Sequence, residues 1–527
     1  MISADIDCKN SGQEAYQSLQ EGCRRKGRPK SPWYIAQVTL LMTVCAALAM
    51  IYSSVWGLAN CIPYSIEYEG HVLWACRTLA QGMNIYAPGA LTEIPSSVVI
   101  YSPLYFAVGA LCIKAFGVGL PLLRAVSMAS ALVCFFYFGL LLKRCRLSDF
   151  HVIIALALFA CTVPVLHWSS VARVDFLGLA LAVIGMERFC KAWFAPKDRA
   201  PTLSPLAVFF LLAAAFTKQQ YLVFSLACLI FTCLQKKSRL ASNYLLLWTA
   251  IAAPALVVIE LVSGGFLAHL SYASSLPWHW QTLTLFLCPF LADAHVVAAA
   301  AIILAAPLYQ HRSSLFGSAK RTTQENQTNQ ARALAAILLT ISLLLALYTM
   351  GLRGAYHNHL LCSEFALFWL AALNLPRLPP IASALPIVAL SISLQPLLEV
   401  GGEFYYRART CRATSETIKL LRGLPRSQRL ILTEDPSLAI FAGAEPALVD
   451  ATTFLNTSKA HSQTAARLLR DIENRTYGAI IINTHDALEH REQIWPESVV
   501  RAIDDNYLAS GVSGGNGMEQ TVYLPKR

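Results

Sequence analysis

Charged residues are scarce in this 527-residue chain: Asp, Glu, Lys and Arg make up only 14%, while 56% is hydrophobic. Such a composition cannot clothe an ordinary soluble globule and reads as an α-helical polytopic membrane protein. Other features are missing too. No internal repeat is visible, which counts against a secondary transporter built from paired halves. The fifteen cysteines follow neither metal-knuckle nor disulfide spacing, and Cys45, Cys134, Cys161, Cys228 and Cys288 lie inside apolar runs as small core residues. No clear cleavage site follows the first apolar run, so residues 1–32, with Arg24, Arg25, Lys26 and Arg28, are expected to remain as a basic cytoplasmic tail. The formal net charge of +11 comes from short basic runs between apolar segments, where they set topology; no nucleic-acid partner is expected.

What is present is a series of apolar runs close to the length of a membrane span, roughly 17 to 25 residues. They fall near 33–58, 122–142, 150–168, 174–190, 203–217, 220–234, 243–262, 283–308, 333–351, 360–375 and 381–398, which makes about eleven transmembrane helices. A further run, 101–116, decides the orientation of everything after it. If it stays at the interface, the basic runs at 143–146, 188–199, 236–239 and 312–332, together with Arg377, all lie on the side of the amino-terminal tail; if it spans, all face outward, against the positive-inside rule. It is therefore read as juxtamembrane or re-entrant. The threading gives a cytoplasmic amino terminus, a membrane domain at 33–400 with a first outer loop at 59–121, and an extracytoplasmic tail at 401–527. That tail alternates strand-like runs (429–433, 479–483, 521–524) with helical ones (462–474, 499–507), the pattern of a small α/β domain.

Four polar stretches interrupt the apolar pattern on the outer side. The first loop carries Glu67 and Glu69, then a helix expected to lie flat on the membrane with Val72, Cys76 and Leu79 on one face and Glu67, His71 and Trp74 on another, with Gly82 as its cap. The loop ends at an aromatic-proline turn, Tyr101-Ser102-Pro103-Leu104-Tyr105. Residue types alone read equally well as solvated carboxylates beside an aromatic belt or as a general base with a metal-ligand or sugar-binding neighbour. Arg173 and Asp175 form the second stretch, open to simple local pairing. Thr217-Lys218-Gln219-Gln220 is the third, either a snorkelling lysine or a cation aimed at a phosphate. The fourth holds His357, Asn358 and His359; histidines two apart do not share a helix face, so zinc is not expected, and contacts to sugar or phosphate fit better.

In chain order, the acidic outer loop, Tyr101-Ser102-Pro103-Leu104-Tyr105, Arg173-Val174-Asp175, Thr217-Lys218-Gln219-Gln220 and the Asn358 loop resemble the bacterial C-type, family-39-like glycosyltransferases that use polyprenyl-phosphate sugars. These are relatives of protein O-mannosyltransferases and the aminoarabinose transferase of lipid A. The resemblance covers most of residues 33–400 and implies a GT-C fold in the inner membrane. It further implies sugar transfer at the outer face, from polyprenyl phosphate to an envelope glycan, lipid or protein acceptor. It maps the first-loop acid onto Glu69 and, less directly, Glu67, because the family's usual Asp is absent where Ile66-Glu67-Tyr68 stands. The Arg-x-Asp acid, a further catalytic carboxylate, maps onto Asp175 with Arg173, and the Thr-Lys turn onto Lys218. Gln219, Tyr101, Tyr105, His357, Asn358 and His359 are the expected substrate contacts, and a divalent ion, Mg or Mn, would sit on Glu67 and Asp175. The tail's acids Glu434, Asp435, Asp486, Asp504 and Asp505 are not expected to supply the base. A transporter and a noncatalytic scaffold with an outer interaction domain are the rival readings.

Overall fold

The computed structural model describes residues 68–194, 201–272, 276–314, 323–352, 354–378, 414–451, 462–482, 495–513 and 520–527. The tail at 1–32, Glu67, and the apolar runs at 33–58 and 381–398 lie outside the described residues.

Helix α1 (Tyr68–Ala80) has Glu69 in its first turn and Arg77 in its last, charges that suit the two ends of the helix dipole. Val72, Leu73, Ala75 and Cys76 are buried against α2 (Leu104–Phe116), where Gly109 leaves room for the Cys76 thiol. α2 is the 101–116 run: apolar, but only 13 residues long and shorter than a span.

Then come α3 (Leu120–Arg144), α4 (Asp149–Ala160), α5 (Val163–Trp168), α6 (Asp175–Trp193), α7 (Pro205–Ala215), α8 (Leu222–Leu234), α9 (Ser238–Ser263), α10 (Phe266–Tyr272), α11 (Trp280–Ala292), α12 (Ala294–Ser314), α13 (Thr323–Met350) and α14 (Leu361–Asn374). α6 is the centre of this layer, packed between α3 and α7, while α14 packs on α13. Gly178 of α6 meets the ring of Tyr221, and a Cβ there would collide with it.

Among the described residues, four helices are long and apolar enough to cross a membrane, five if α11 and α12 count as one bent span; α2, α4, α7 and a segment at 219–234 are shorter apolar helices. The chain is a multi-pass membrane protein, but two of the expected spans are not single straight helices. The run at 150–168 breaks between α4 and α5, where Pro164 sits in the first turn of α5 and has no N–H to continue the helix before it. The run at 283–308 bends by 68° at Asp293, whose side chain accepts the backbone N–H of His295 at 2.8 Å and so starts α12 afresh.

The carboxyl-terminal described residues form a five-stranded sheet of order β2-β1-β3-β5-β4, from β1 (Leu430–Thr433), β2 (Glu445–Pro446), β3 (Ala479–Ile482), β4 (Tyr507–Ser513) and β5 (Gln520–Pro525). β1 pairs in parallel with β2 and β3, and β5 runs antiparallel between β3 and β4. Helices α15 (Pro436–Ala442), α16 (Ser462–Glu473) and α17 (Glu497–Asn506) accompany it. Tyr507 starts β4 instead of ending a helix.

This sheet is docked on the first loop. Ser96 donates to the Ala447 carbonyl at 2.8 Å and accepts from Val449 N–H at 2.9 Å, Arg77 pairs with Glu445 at 2.9 Å, and α15 packs on α1 where Gly70 faces Asp435 and Pro436.

Candidate active site

Glu69 is fully buried. Arg124, in the first turns of α3, donates to both of its oxygens, Nε to Oε1 at 2.7 Å and Nη2 to Oε2 at 2.5 Å, and Ala172 N–H donates to Oε1 at 2.9 Å. A carboxylate gripped in this bidentate fashion and walled off from the cavity described below is not poised to take a proton from a substrate. In the structure Glu69 holds α1 to α3 and to the turn before α6. Its partner was missed from the sequence, although a lone arginine at the start of an apolar run calls for a carboxylate.

Asp175 opens α6, where the helix N-terminus favours an anion. It is also fully buried, and three groups from separate parts of the chain converge on it: Lys218 Nζ reaches Oδ1 at 2.6 Å, Asn358 Nδ2 reaches Oδ1 at 3.0 Å, and Arg173 Nε reaches Oδ2 at 3.5 Å. Tyr221 donates to the backbone carbonyl of Asp175 at 2.5 Å, fixing the turn that carries Lys218. Tyr101 accepts from Arg173 Nη2 at 2.6 Å, and its ring lies under both cations, 5.3 Å from Arg173 and 5.6 Å from Lys218. Gln219 donates to the Ile100 carbonyl at 2.8 Å.

The structure thus gathers Arg173, Asp175, Lys218, Gln219, Tyr101 and Asn358. Two expected contacts fall elsewhere. Tyr105 is buried between α2 and α3, donating to the Leu123 carbonyl at 3.1 Å, because its side chain leaves the helix on the core side. His357 packs edge-on against His167 and tilted against Trp168, each ring 5.3 Å away.

A cavity of about 440 Å³ opens beside this cluster. Tyr101, Arg173, Lys218, Gln219 and His359 line it, and so do His71, Gln220 and, from the carboxyl-terminal sheet, Glu434 and Asp450. Its apolar part is Leu222, Leu276, Leu345 and Leu352. Glu434 accepts from Trp495 at 2.7 Å and Gln520 at 2.9 Å, so it is committed within the sheet. Asp435 caps α15 through Ser437 N–H at 2.9 Å. Burial pushes His71 down to about 4, opposed by Asp450 and reinforced by Arg173 and His269.

The expected metal role of Asp175 does not fit. Its oxygens face an ammonium, an amide N–H and a guanidinium, and a divalent ion among them would meet positive charge at once. Among the described residues no group of three His, Cys, Asp or Glu side chains is placed to hold a metal.

Neither a protein-family model nor a curated protein matches the chain. Solved structures do. ArnT from Cupriavidus metallidurans, bound to undecaprenyl phosphate, aligns with a TM-score of 0.57 at 11% identity, over 94% of this chain and 98% of that one. The Archaeoglobus fulgidus oligosaccharyltransferase aligns in its apo form with a TM-score of 0.51 at 11% identity, over 93% of this chain and 74% of that one. Its complex with Zn and sulfate aligns with a TM-score of 0.50 at 12% identity, over 92% and 73%. Likeness at such identities is a likeness of fold, and that fold is the one the motifs pointed to: this chain has the GT-C fold shared by ArnT and oligosaccharyltransferase.

Proposed function

We propose that the chain is a membrane glycosyltransferase that moves a sugar from a polyprenyl-phosphate donor to an acceptor hydroxyl or amine of a glycan, lipid or protein, at the outer face of the inner membrane. The observation that carries the reading is the convergence of two cations, Arg173 and Lys218, held by Asp175, on the wall of a cavity that is also lined by leucines. Two fixed cations at one cavity offer charge-assisted donors to an anionic group. A polyprenyl-phosphosugar is a phosphodiester with one negative charge, and the leucines of the same cavity suit the first carbons of its chain.

The acceptor heteroatom attacks the anomeric carbon and its proton passes to a carboxylate. The bond from that carbon to the phosphate oxygen breaks, and its electron pair leaves with the phosphate. Charge therefore grows on the phosphate as the sugar departs, and Lys218 and Arg173 stabilise it there. Asp175 is a positioning residue that holds both cations in place. With Glu69 engaged by Arg124, the base falls to Glu67, the other first-loop acid, four residues before the cavity-lining His71. The orientation follows the loop charges, with the amino terminus cytoplasmic and residues 401–527 outside. The test is transfer of label from radiolabelled polyprenyl-phosphate sugars in proteoliposomes with envelope extract as acceptor. Glu67→Gln is expected to lower turnover at least about a hundredfold. Absence of transfer by the wild-type protein, together with solute flux across the same vesicles, would favour a transporter instead.

A further inference from the structure

The walls of the cavity come from two parts of the chain. Arg173, Lys218, Leu222 and Leu345 belong to the helical part, whereas Glu434 follows β1 and Asp450 follows β2 of the carboxyl-terminal sheet. These two acids differ. Glu434 is fully buried and accepts from Trp495 at 2.7 Å and Gln520 at 2.9 Å, which commits it within the sheet. Asp450 is half-buried and keeps accessible surface at the cavity. It lies within electrostatic reach of side chains from three separate elements: His71 of α1, Arg173 before α6 and Tyr272 at the end of α10. The backbone that leads to it is held from both sides. Ala447 N–H donates to the Ile431 carbonyl of β1 at 2.7 Å, the Ala447 carbonyl accepts from Ser96 N–H of the first loop at 2.8 Å, and Val449 N–H donates to the Ser96 carbonyl at 2.9 Å. A segment clamped between the sheet and the first loop presents the next side chain at a fixed place, as a substrate contact requires.

We infer that Asp450 binds the acceptor, and that the acceptor group it meets is a hydrogen-bond donor, a hydroxyl or an ammonium, without negative charge. The inference rests on the polyprenyl-phosphosugar reading. There the donor's phosphate goes to Lys218 and Arg173 and the first carbons of its chain to the leucines, so the helical walls are taken by the donor and the wall from the sheet is left to the acceptor. An aspartate carboxylate only accepts hydrogen bonds, at about four lone-pair sites, so it can hold a substrate O–H or N–H while keeping contacts within the protein. An acceptor phosphate or carboxylate at the same place would meet like charge. Asp450 thus selects and orients the acceptor, and the proton still passes to Glu67.

The test is sugar transfer by the full-length protein in proteoliposomes, with radiolabelled polyprenyl-phosphate sugar as donor and envelope extract, titrated by dilution, as the acceptor probe. Asp450→Ala is expected to need at least about tenfold more extract for half-maximal transfer, the share of a charge-assisted hydrogen bond, while its half-saturating donor concentration and its affinity for undecaprenyl phosphate in nanodiscs stay within about twofold of wild type. Asp450→Asn, which keeps the shape and one acceptor oxygen, should raise the extract requirement by less. An unchanged extract requirement in both variants overturns the assignment. So does a change confined to the donor concentration, which would put Asp450 on the transferred sugar, and so does loss of undecaprenyl phosphate affinity in both variants, which would make Asp450 a support for Arg173. If the wild-type protein neither transfers label nor binds undecaprenyl phosphate, the donor reading itself falls and takes this inference with it.

Discussion

Two buried charge clusters lie within the first half of this chain and behave in opposite ways. Glu69 and Arg124 are paired, fully buried and sealed among α1, α3 and the turn before α6. Arg173 and Lys218 meet on Asp175, and both cations, with Asp450, reach the cavity. A closed pair is a structural joint: its desolvation is offset within the protein and nothing is left for a ligand. Cations that open on a cavity can meet an anion there. Residue type does not separate the two; exposure to the cavity does.

The largest effect expected is on the closed pair. Glu69→Gln removes the carboxylate that takes two of the buried Arg124 guanidinium's hydrogen bonds and should cost about 3–5 kcal/mol of stability, seen as a large drop in thermal unfolding temperature in detergent. Adding Arg124→Met removes the stranded charge and should recover most of that loss. Equal stability of Glu69→Gln and wild type would mean that the pair is not the joint described.

Next comes the packing that positions the open cluster. Gly178→Ala drives a methyl into the Tyr221 ring, whose hydroxyl anchors the Asp175 carbonyl. Overpacking of this kind costs about 1–3 kcal/mol, and undecaprenyl phosphate affinity should fall with it. Unchanged unfolding and unchanged affinity would show that the contact is slack.

The smallest effect is titration at the cavity wall. His71 is held at about 4, below the ordinary 6.5 of histidine, mainly by burial. Below pH 6.5 the unfolded chain takes up a proton that the folded chain refuses, so this contribution to stability is full above pH 6.5 and is lost as the pH falls towards 4. By pH 5.5 the loss is about 1.4 kcal/mol. His71→Phe should flatten the unfolding profile between pH 6.5 and 5; a profile as steep as that of the wild type would place the titrating group elsewhere.

Much of the cluster was legible because its residues break an apolar pattern. Lys218 and Asp175 stand out at the ends of hydrophobic runs, where charge is costly and demands a reason. Glu69 stood out in the same way, and nothing in the sequence says that Arg124, 55 positions later, takes both of its oxygens. Tyr105 and Tyr101 look alike in sequence, yet the helix that begins at Leu104 turns Tyr105 into the core and leaves Tyr101 at the cavity. Asp450 became visible only through the docking of the sheet on the first loop, a contact between residues more than 300 positions apart. In the fold, the broken runs at Pro164 and Asp293 were the hardest to see, because hydropathy measures length and does not register a bend.

The central claim is that the cluster open to the cavity, and not the closed pair, is the phosphate site. Binding of undecaprenyl phosphate to the nanodisc-embedded protein tests it most directly, comparing wild type, Lys218→Ala and the Glu69→Gln/Arg124→Met double variant. Lys218→Ala is expected to weaken binding by about 1.5–3 kcal/mol, roughly 10- to 150-fold, the share of a charge-assisted hydrogen bond, while the double variant stays within about a few-fold of wild type. Unchanged affinity in Lys218→Ala, with loss of affinity in the double variant, would contradict the assignment.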